Sequence, residues 1–106
     1  MKNLKIRFDA CMACVIACET CITDCIKTGN QQAILLCRDC ADICLLYARL
    51  EARGSKYAQN MQSICVEICE MCAEECMKHS SQASCKECAE ICKKCAEVCE
   101  ELVRKN

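Results

Sequence analysis

Cys11, Cys14, Cys18, Cys21 and Cys25 follow one another at steps of 3, 4, 3 and 4 residues, and Cys85, Cys88, Cys92, Cys95 and Cys99 repeat that register. Two shorter runs of the same kind lie between them: Cys37, Cys40 and Cys44, then Cys65, Cys69, Cys72 and Cys76. Deprotonated, such side chains bind soft metals or attack disulfides, so the chemistry to consider is metal binding or thiol redox. Steps of 3 and 4 are those of a heptad seam, which places every sulfur of a run on one face of an α-helix. Four seams predict four helices facing one interior.

A lone buried cysteine is usually a small core hydrophobe. Seventeen of them on the central seam positions exceed what packing requires, because a core built for packing uses larger apolar groups there. Zinc is suggested by C-x-x-C pairs such as Cys11/Cys14, Cys69/Cys72 and Cys92/Cys95. Zinc ribbons, however, separate such pairs into turns that close discrete tetrahedral sites, whereas these pairs merge into continuous helical runs. Iron–sulfur spacings belong to loops wrapped round a cluster, and fit a long seam no better.

Charge discriminates further. Each bound thiolate carries a negative charge into a low-dielectric interior, where uncompensated charge is costly. A divalent ion on four thiolates leaves a deficit of two, and a row of such sites would accumulate it. A monovalent soft ion at one per thiolate brings the total to zero, which points to Cu(I), with sulfurs at i and i+4 as natural ligands bridging neighbouring ions. The capacity expected from this balance is on the order of one Cu(I) per cysteine. Two alternatives stand beside it. One is thiol-redox chemistry on C-x-x-C dithiols, for which Cys85, after Ser84 and beside Lys86, is the candidate nucleophile. The other is general sequestration of Zn, Cd or Ag.

The helices that position these sulfurs are bounded by clear signals. Proline is absent, and the two glycines fall between cysteine runs, as Gly29-Asn30 and Gly54-Ser55. Each pair reads as a left-handed helix stop followed by an N-cap. In the third break, Ser80 to Ser84, Ser84 with Glu87 matches a capping box. Helices are therefore predicted near residues 4–28, 31–53, 56–79 and 84–105. Their short connections imply an all-α, antiparallel up-down-up-down four-helix bundle with a cysteine-lined core, residues 1–106 forming a single domain. Acid-before-base pairs four residues apart (Glu74/Lys78, Glu90/Lys94, Glu100/Arg104 and Glu101/Lys105) suit exposed helix faces. Val15, Ile22, Leu36, Ile43, Leu50, Val66, Ile68, Ile91, Val98 and Leu102 flank the seams, and are expected to seal helix to helix so that the bundle folds before any metal arrives.

Fourteen basic and 15 acidic residues nearly cancel, with neither sign in a block. The balance gives no case for nucleic acid or an anionic membrane surface. No segment approaches a membrane span, and the opening MKNLKIRFDA lacks a signal-peptide pattern, so a cytoplasmic location is expected. In that compartment cysteines serve metals or redox more often than structural disulfides. No Ser/His/Asp set, pocketed carboxylate pair or glycine-rich phosphate loop stands out, and no enzyme activity is expected.

With these features the sequence resembles the bacterial copper storage proteins, specifically their cytosolic branch. The resemblance covers the whole chain and is carried by the CxxxC and CxxC runs, by CADIC from Cys40 to Cys44, and by ECMKH from Glu75 to His79 shortly before CKECAEIC. It implies a thiol-lined bundle that stores many Cu(I) ions, often as a homotetramer. Members of that branch often carry several histidines around the join of the third and fourth helices, where this sequence has His79 alone.

His79 lies three residues beyond Cys76, at the bundle end shared with Cys25, Cys37 and Cys85. Two readings stand for it: a weaker ligand at the mouth that passes copper inward, or a solvated histidine beside the negative end of a helix dipole. The expected metal ligands are thus all 17 cysteines with His79. At the opposite end lie Cys11, Cys65 and Cys99, with Tyr47 in place of a thiol and Leu102 beside it as a plug. Met12, Met61, Met71 and Met77 fall off the seams and are assigned to packing or surface.

Overall fold

The computed structural model describes residues 2–105, and side chains over residues 4–100. It contains four helices, α1 (Lys2–Thr28), α2 (Gln31–Ala52), α3 (Ala58–Met77) and α4 (Ala83–Lys105), and no strand among the described residues. The predicted bounds hold to within a few residues. Helix α1 packs on α2 and α4, and α3 packs on the same two neighbours, so the diagonal pairs meet only across the interior. The particle measures 40 × 19 × 18 Å. Its long dimension is that of α1, since 27 residues at about 1.5 Å each span roughly 40 Å.

Both glycines turn the chain as expected. Gly29 and Gly54 sit at φ 79° and 67°, a left-handed conformation that side chains with a Cβ disfavour. The caps that follow them differ from expectation. Asn30 precedes α2 without a side-chain bond to its first turn. The Ser55 hydroxyl accepts a bond from the Tyr57 amide at 3.1 Å, but it closes a separate turn ahead of α3, which starts only at Ala58. The Ser84–Glu87 capping box is not formed. Gln82 occupies the cap position, its carbonyl accepting from the Cys85 and Lys86 amides, and Ser84 lies inside the first turn of α4. On the surface, Lys78 pairs with Glu75 at 3.3 Å instead of Glu74, in a last turn tightened to i,i+3 by the bond of the Lys78 amide to the Glu75 carbonyl at 3.1 Å. The Glu100/Arg104 and Glu101/Lys105 pairs and Leu102 involve side chains outside the described residues.

All 17 cysteines have no exposed surface. The residues closest to them are small: Ala17, Ala33, Ala41, Ala48, Ala89 and Ala96 are buried alongside. The flanking aliphatics Val15, Ile22, Leu36, Ile43, Val66, Ile68 and Ile91 are half-buried against this core. Alanine thus sets the close helix approach, and branched side chains cover it from outside. Met12 and Met61 pack on the core, while Met71 and Met77 are exposed.

Candidate metal centre

The heptad seams deliver the sulfurs to the bundle axis, where all but that of Cys99 lie within hydrogen-bonding range of sulfurs from other helices. Cys14 stands 3.4 Å from Cys92, 3.6 Å from Cys40 and 4.0 Å from Cys69. All 17 are free thiols. Within a helix, the i,i+4 pairs Cys21/Cys25, Cys40/Cys44, Cys72/Cys76 and Cys88/Cys92 lie 3.7 to 4.0 Å apart.

Each of these pairs closes a triangle with a sulfur of one adjacent helix. Cys85 lies 3.5 Å from both Cys21 and Cys25. Cys37 lies 3.6 Å from both Cys72 and Cys76. Cys69 stands 3.8 Å from Cys40 and 3.4 Å from Cys44. Cys18 stands 3.7 Å from Cys92 and 3.8 Å from Cys88. Two triangles therefore join α1 to α4 and two join α2 to α3, forming twin sulfur columns. Cross-links such as Cys14/Cys40, Cys21/Cys76 at 4.0 Å and Cys37/Cys88 at 3.9 Å tie the columns together.

Four-sulfur groups arise where the columns meet. Cys11, Cys44, Cys65 and Cys95 contribute one thiol from each helix, as do Cys18, Cys37, Cys72 and Cys88, and Cys21, Cys37, Cys76 and Cys88, with all sulfurs of a group within 4.8 Å of one another. Several cysteines belong to more than one group. The array is continuous, and the sequence motif C-x-x-C is not its unit.

Protons are unevenly shared along it. Cys11 and Cys76 accept S–H bonds, led by Cys44 and Cys21 respectively, and both are pulled down to about 5. Cys14 and Cys72 are lowered in the same way. Cys85 is pushed up to about 11, first by burial, and Cys18 and Cys40 are raised, first by bonding to Cys14. A sulfur that accepts from its neighbours gives up its proton more readily, and those neighbours hold theirs more tightly in return. Any cation that enters must displace them.

The two ends differ. At the Cys11/Cys65/Cys99 end, Tyr47 is buried and its hydroxyl donates to Glu51 Oε2 at 2.8 Å. Arg7 Nε lies 3.3 Å from the same oxygen. Gln62 Nε2 donates to the Cys99 carbonyl at 2.8 Å. Sequence reasoning found Tyr47 but missed Arg7, Glu51 and Gln62. The seam itself carried the signal, because Arg7 is four residues before Cys11, Gln62 three before Cys65, and Glu51 four beyond Tyr47.

At the other end, His79 sits on the turn after α3, half-exposed, with Nε2 3.1 Å from Glu75 Oε2. Burial alone would raise the Glu75 carboxyl, but bonds from His79 and Lys78 hold it below its usual range. The histidine is thus turned to a carboxylate and not to a sulfur, while Cys21, Cys25 and Cys85 lie beneath this end of the bundle.

Comparison with known proteins places this geometry in company. Residues 1–104 match the model of the family described as copper storage protein. The cysteine-rich protein YhjQ of Bacillus subtilis (strain 168) is 36% identical over 85 residues, 76% of this chain and 78% of that protein. The Cu(I)-bound copper storage protein BsCsp3 superposes with a TM-score of 0.88 at 34% identity, over 93% of this chain and 96% of its own. A cytosolic copper storage protein from Streptomyces lividans, solved with five coppers, superposes with a TM-score of 0.91 at 27% identity, over 97% and 93% of the two chains.

Proposed function

The chain belongs to the copper storage protein family, and we propose that its sulfur array takes up Cu(I) in bulk, on the order of one ion per cysteine. The observation that carries this reading is the continuity of the array: sulfurs 3.4 to 4.0 Å apart run from Cys25 and Cys85 at one end, through Cys21, Cys76, Cys37, Cys88, Cys92, Cys14, Cys69 and Cys44, to Cys65 at the other. Shared sulfurs let one thiolate bridge two ions, so the array needs fewer sulfurs per ion than separate tetrahedral sites, which take four each. All 17 cysteines serve as ligands in a single storage domain that catalyses no reaction. The relatives solved with copper support the choice of ion.

Copper passes through the His79 end. There the histidine takes an ion on leaving Glu75 and hands it to the Cys21, Cys25 and Cys85 sulfurs, while Tyr47, Arg7, Glu51 and Gln62 close the opposite end. The protein works in the cytoplasm, in keeping with the cytosolic relative, and no helix among the described residues is long and apolar enough to cross a membrane. Exposed Ile16 and Ile26 on α1 and Leu35, Leu45 and Leu46 on α2 support self-association into a homo-oligomer, a tetramer by resemblance to the family.

Anaerobic titration of reduced protein with Cu(I) against a competing chelator tests the central claim. Uptake approaching one ion per cysteine is expected, with the far-UV circular dichroism unchanged. Saturation at about four ions, the number that closed four-thiolate sites allow, would overturn it.

A further inference from the structure

The triangular substructure of the array has a chemistry of its own. Sulfurs that share one central atom through bonds of about 2.3 Å stand roughly 3.4 Å apart around a pyramidal centre with near-right angles, ~3.8 Å around a tetrahedral one and ~4.0 Å around a planar trigonal one. The Cys21/Cys25/Cys85 triangle has edges of 3.7, 3.5 and 3.5 Å. It is already close to the pyramidal arrangement, without any movement of the helices that carry it. The other three triangles have edges between 3.4 and 4.0 Å and share no cysteine with it or with one another.

A pyramidal centre with three sulfur ligands and a lone pair at its apex is the preferred geometry of trivalent arsenic, whose bonds to sulfur are close to the zinc–sulfur length. The charge balance is also met. Arsenous acid is neutral at physiological pH, so entering the apolar interior carries no penalty for desolvating an ion. At a triangle, three S–H bonds and three As–O bonds break while three As–S bonds and three O–H bonds form: As(OH)3 + 3 RSH gives As(SR)3 + 3 H2O. Nothing is oxidised or reduced, the thiol protons leave in water, and the product left inside is neutral.

We propose that the bundle is also a multi-site binder of arsenite, one As(III) per sulfur triangle and about four per chain, with the Cys21/Cys25/Cys85 triangle as its best-formed site. This proposal does not rest on copper binding, and either can fail without the other. Cys14 closes one further triangle, with Cys40 and Cys69 at 3.6, 4.0 and 3.8 Å, but it shares two sulfurs with the Cys40/Cys44/Cys69 site and adds no independent one. Cys14 stays a free thiol, as do Cys11, Cys65, Cys95 and Cys99.

The test is anaerobic titration of the folded, metal-free protein with arsenite, read by native mass spectrometry and by counting the thiols left. The expected product carries about four arsenic atoms, each adding one arsenic less three hydrogens and consuming three thiols. X-ray absorption should show three sulfur neighbours per arsenic and no oxygen. Cys85→Ser should lower the capacity by one arsenic, whereas Cys99→Ser, outside every triangle, should leave it unchanged, with circular dichroism reporting that both variants are folded. A capacity of one or none, two thiols consumed per arsenic, or equal effects of the two substitutions would overturn the proposal. A variant that unfolds is replaced by Cys21→Ser, for which the same loss of one arsenic is expected and an unchanged capacity counts against the triangle.

Discussion

At the scale of single residues, burial and bonding divide seventeen chemically identical groups into different roles. Cys76 is pulled down to about 5, first by its bond with Cys21, whereas Cys85 is pushed up to about 11, first by burial. Copper(I) bound at Cys85 must expel the thiol proton, so its affinity there should rise about tenfold per pH unit up to roughly pH 11, while at Cys76 it should be flat above about pH 5. Chelator competition at several pH values checks the sign: Cys85→Ser should reduce the proton slope by about one, and Cys76→Ser should leave it intact. A second residue-scale prediction concerns the buried phenol. Tyr47→Phe removes one hydrogen bond and should cost about 1 kcal/mol in urea unfolding, whereas Tyr47→Ala, which opens a cavity, should cost about 3–5 kcal/mol. Capacity for copper should survive Tyr47→Phe. The cysteines were legible from spacing alone because a seam is a local pattern. Glu51 and Arg7 were not, since their pairing spans α1 and α2 and the sequence marks neither side chain as buried; only continuation of the seam beyond its last sulfur reveals them.

At the scale of helices, spacing fixed which residues face inward, and glycine fixed where the chain turns. Neither determined how the first turns are capped. Gln82 takes the position expected of Ser84, because the turn from Lys78 to Ser81 delivers its carbonyl to the Cys85 and Lys86 amides, a geometry set by how α3 and α4 pack rather than by local preference. Ser84→Ala should therefore change stability by less than about 0.5 kcal/mol, well under the usual loss for a true cap; thermal unfolding decides, and a loss above about 1 kcal/mol would restore the capping box. Gly29→Ala is different. A Cβ there would touch nothing within 4 Å, so the penalty is backbone strain alone, about 1–2 kcal/mol at its positive φ. The expected result is a lower denaturation midpoint with unchanged copper capacity.

At the scale of the whole molecule, the bundle is organised around an axis whose ends are built differently. Tyr47 with Arg7, Glu51 and Gln62 occupies one end in side chains that bond to each other and to backbone. At the other, His79 and Glu75 form a half-exposed pair on a short turn. If loading proceeds past that turn, His79→Ala should slow Cu(I) uptake in stopped-flow mixing while leaving the final capacity unchanged; reduced capacity would make the histidine a storage ligand instead. The polarity could be anticipated from Tyr47 and His79, but the strength of the closed end could not, because it depends on side chains brought together from three helices. Under the proposed entry at the His79 end, with the Tyr47 end closed, the column is a stack in the sense that the first ion in is the last out. Two copper isotopes supplied in succession should leave in reverse order when a chelator draws them off. A cell drawing on such a stack would spend its newest copper first, and the ions bound deepest, beside the tyrosine, would turn over only when the stack is nearly empty.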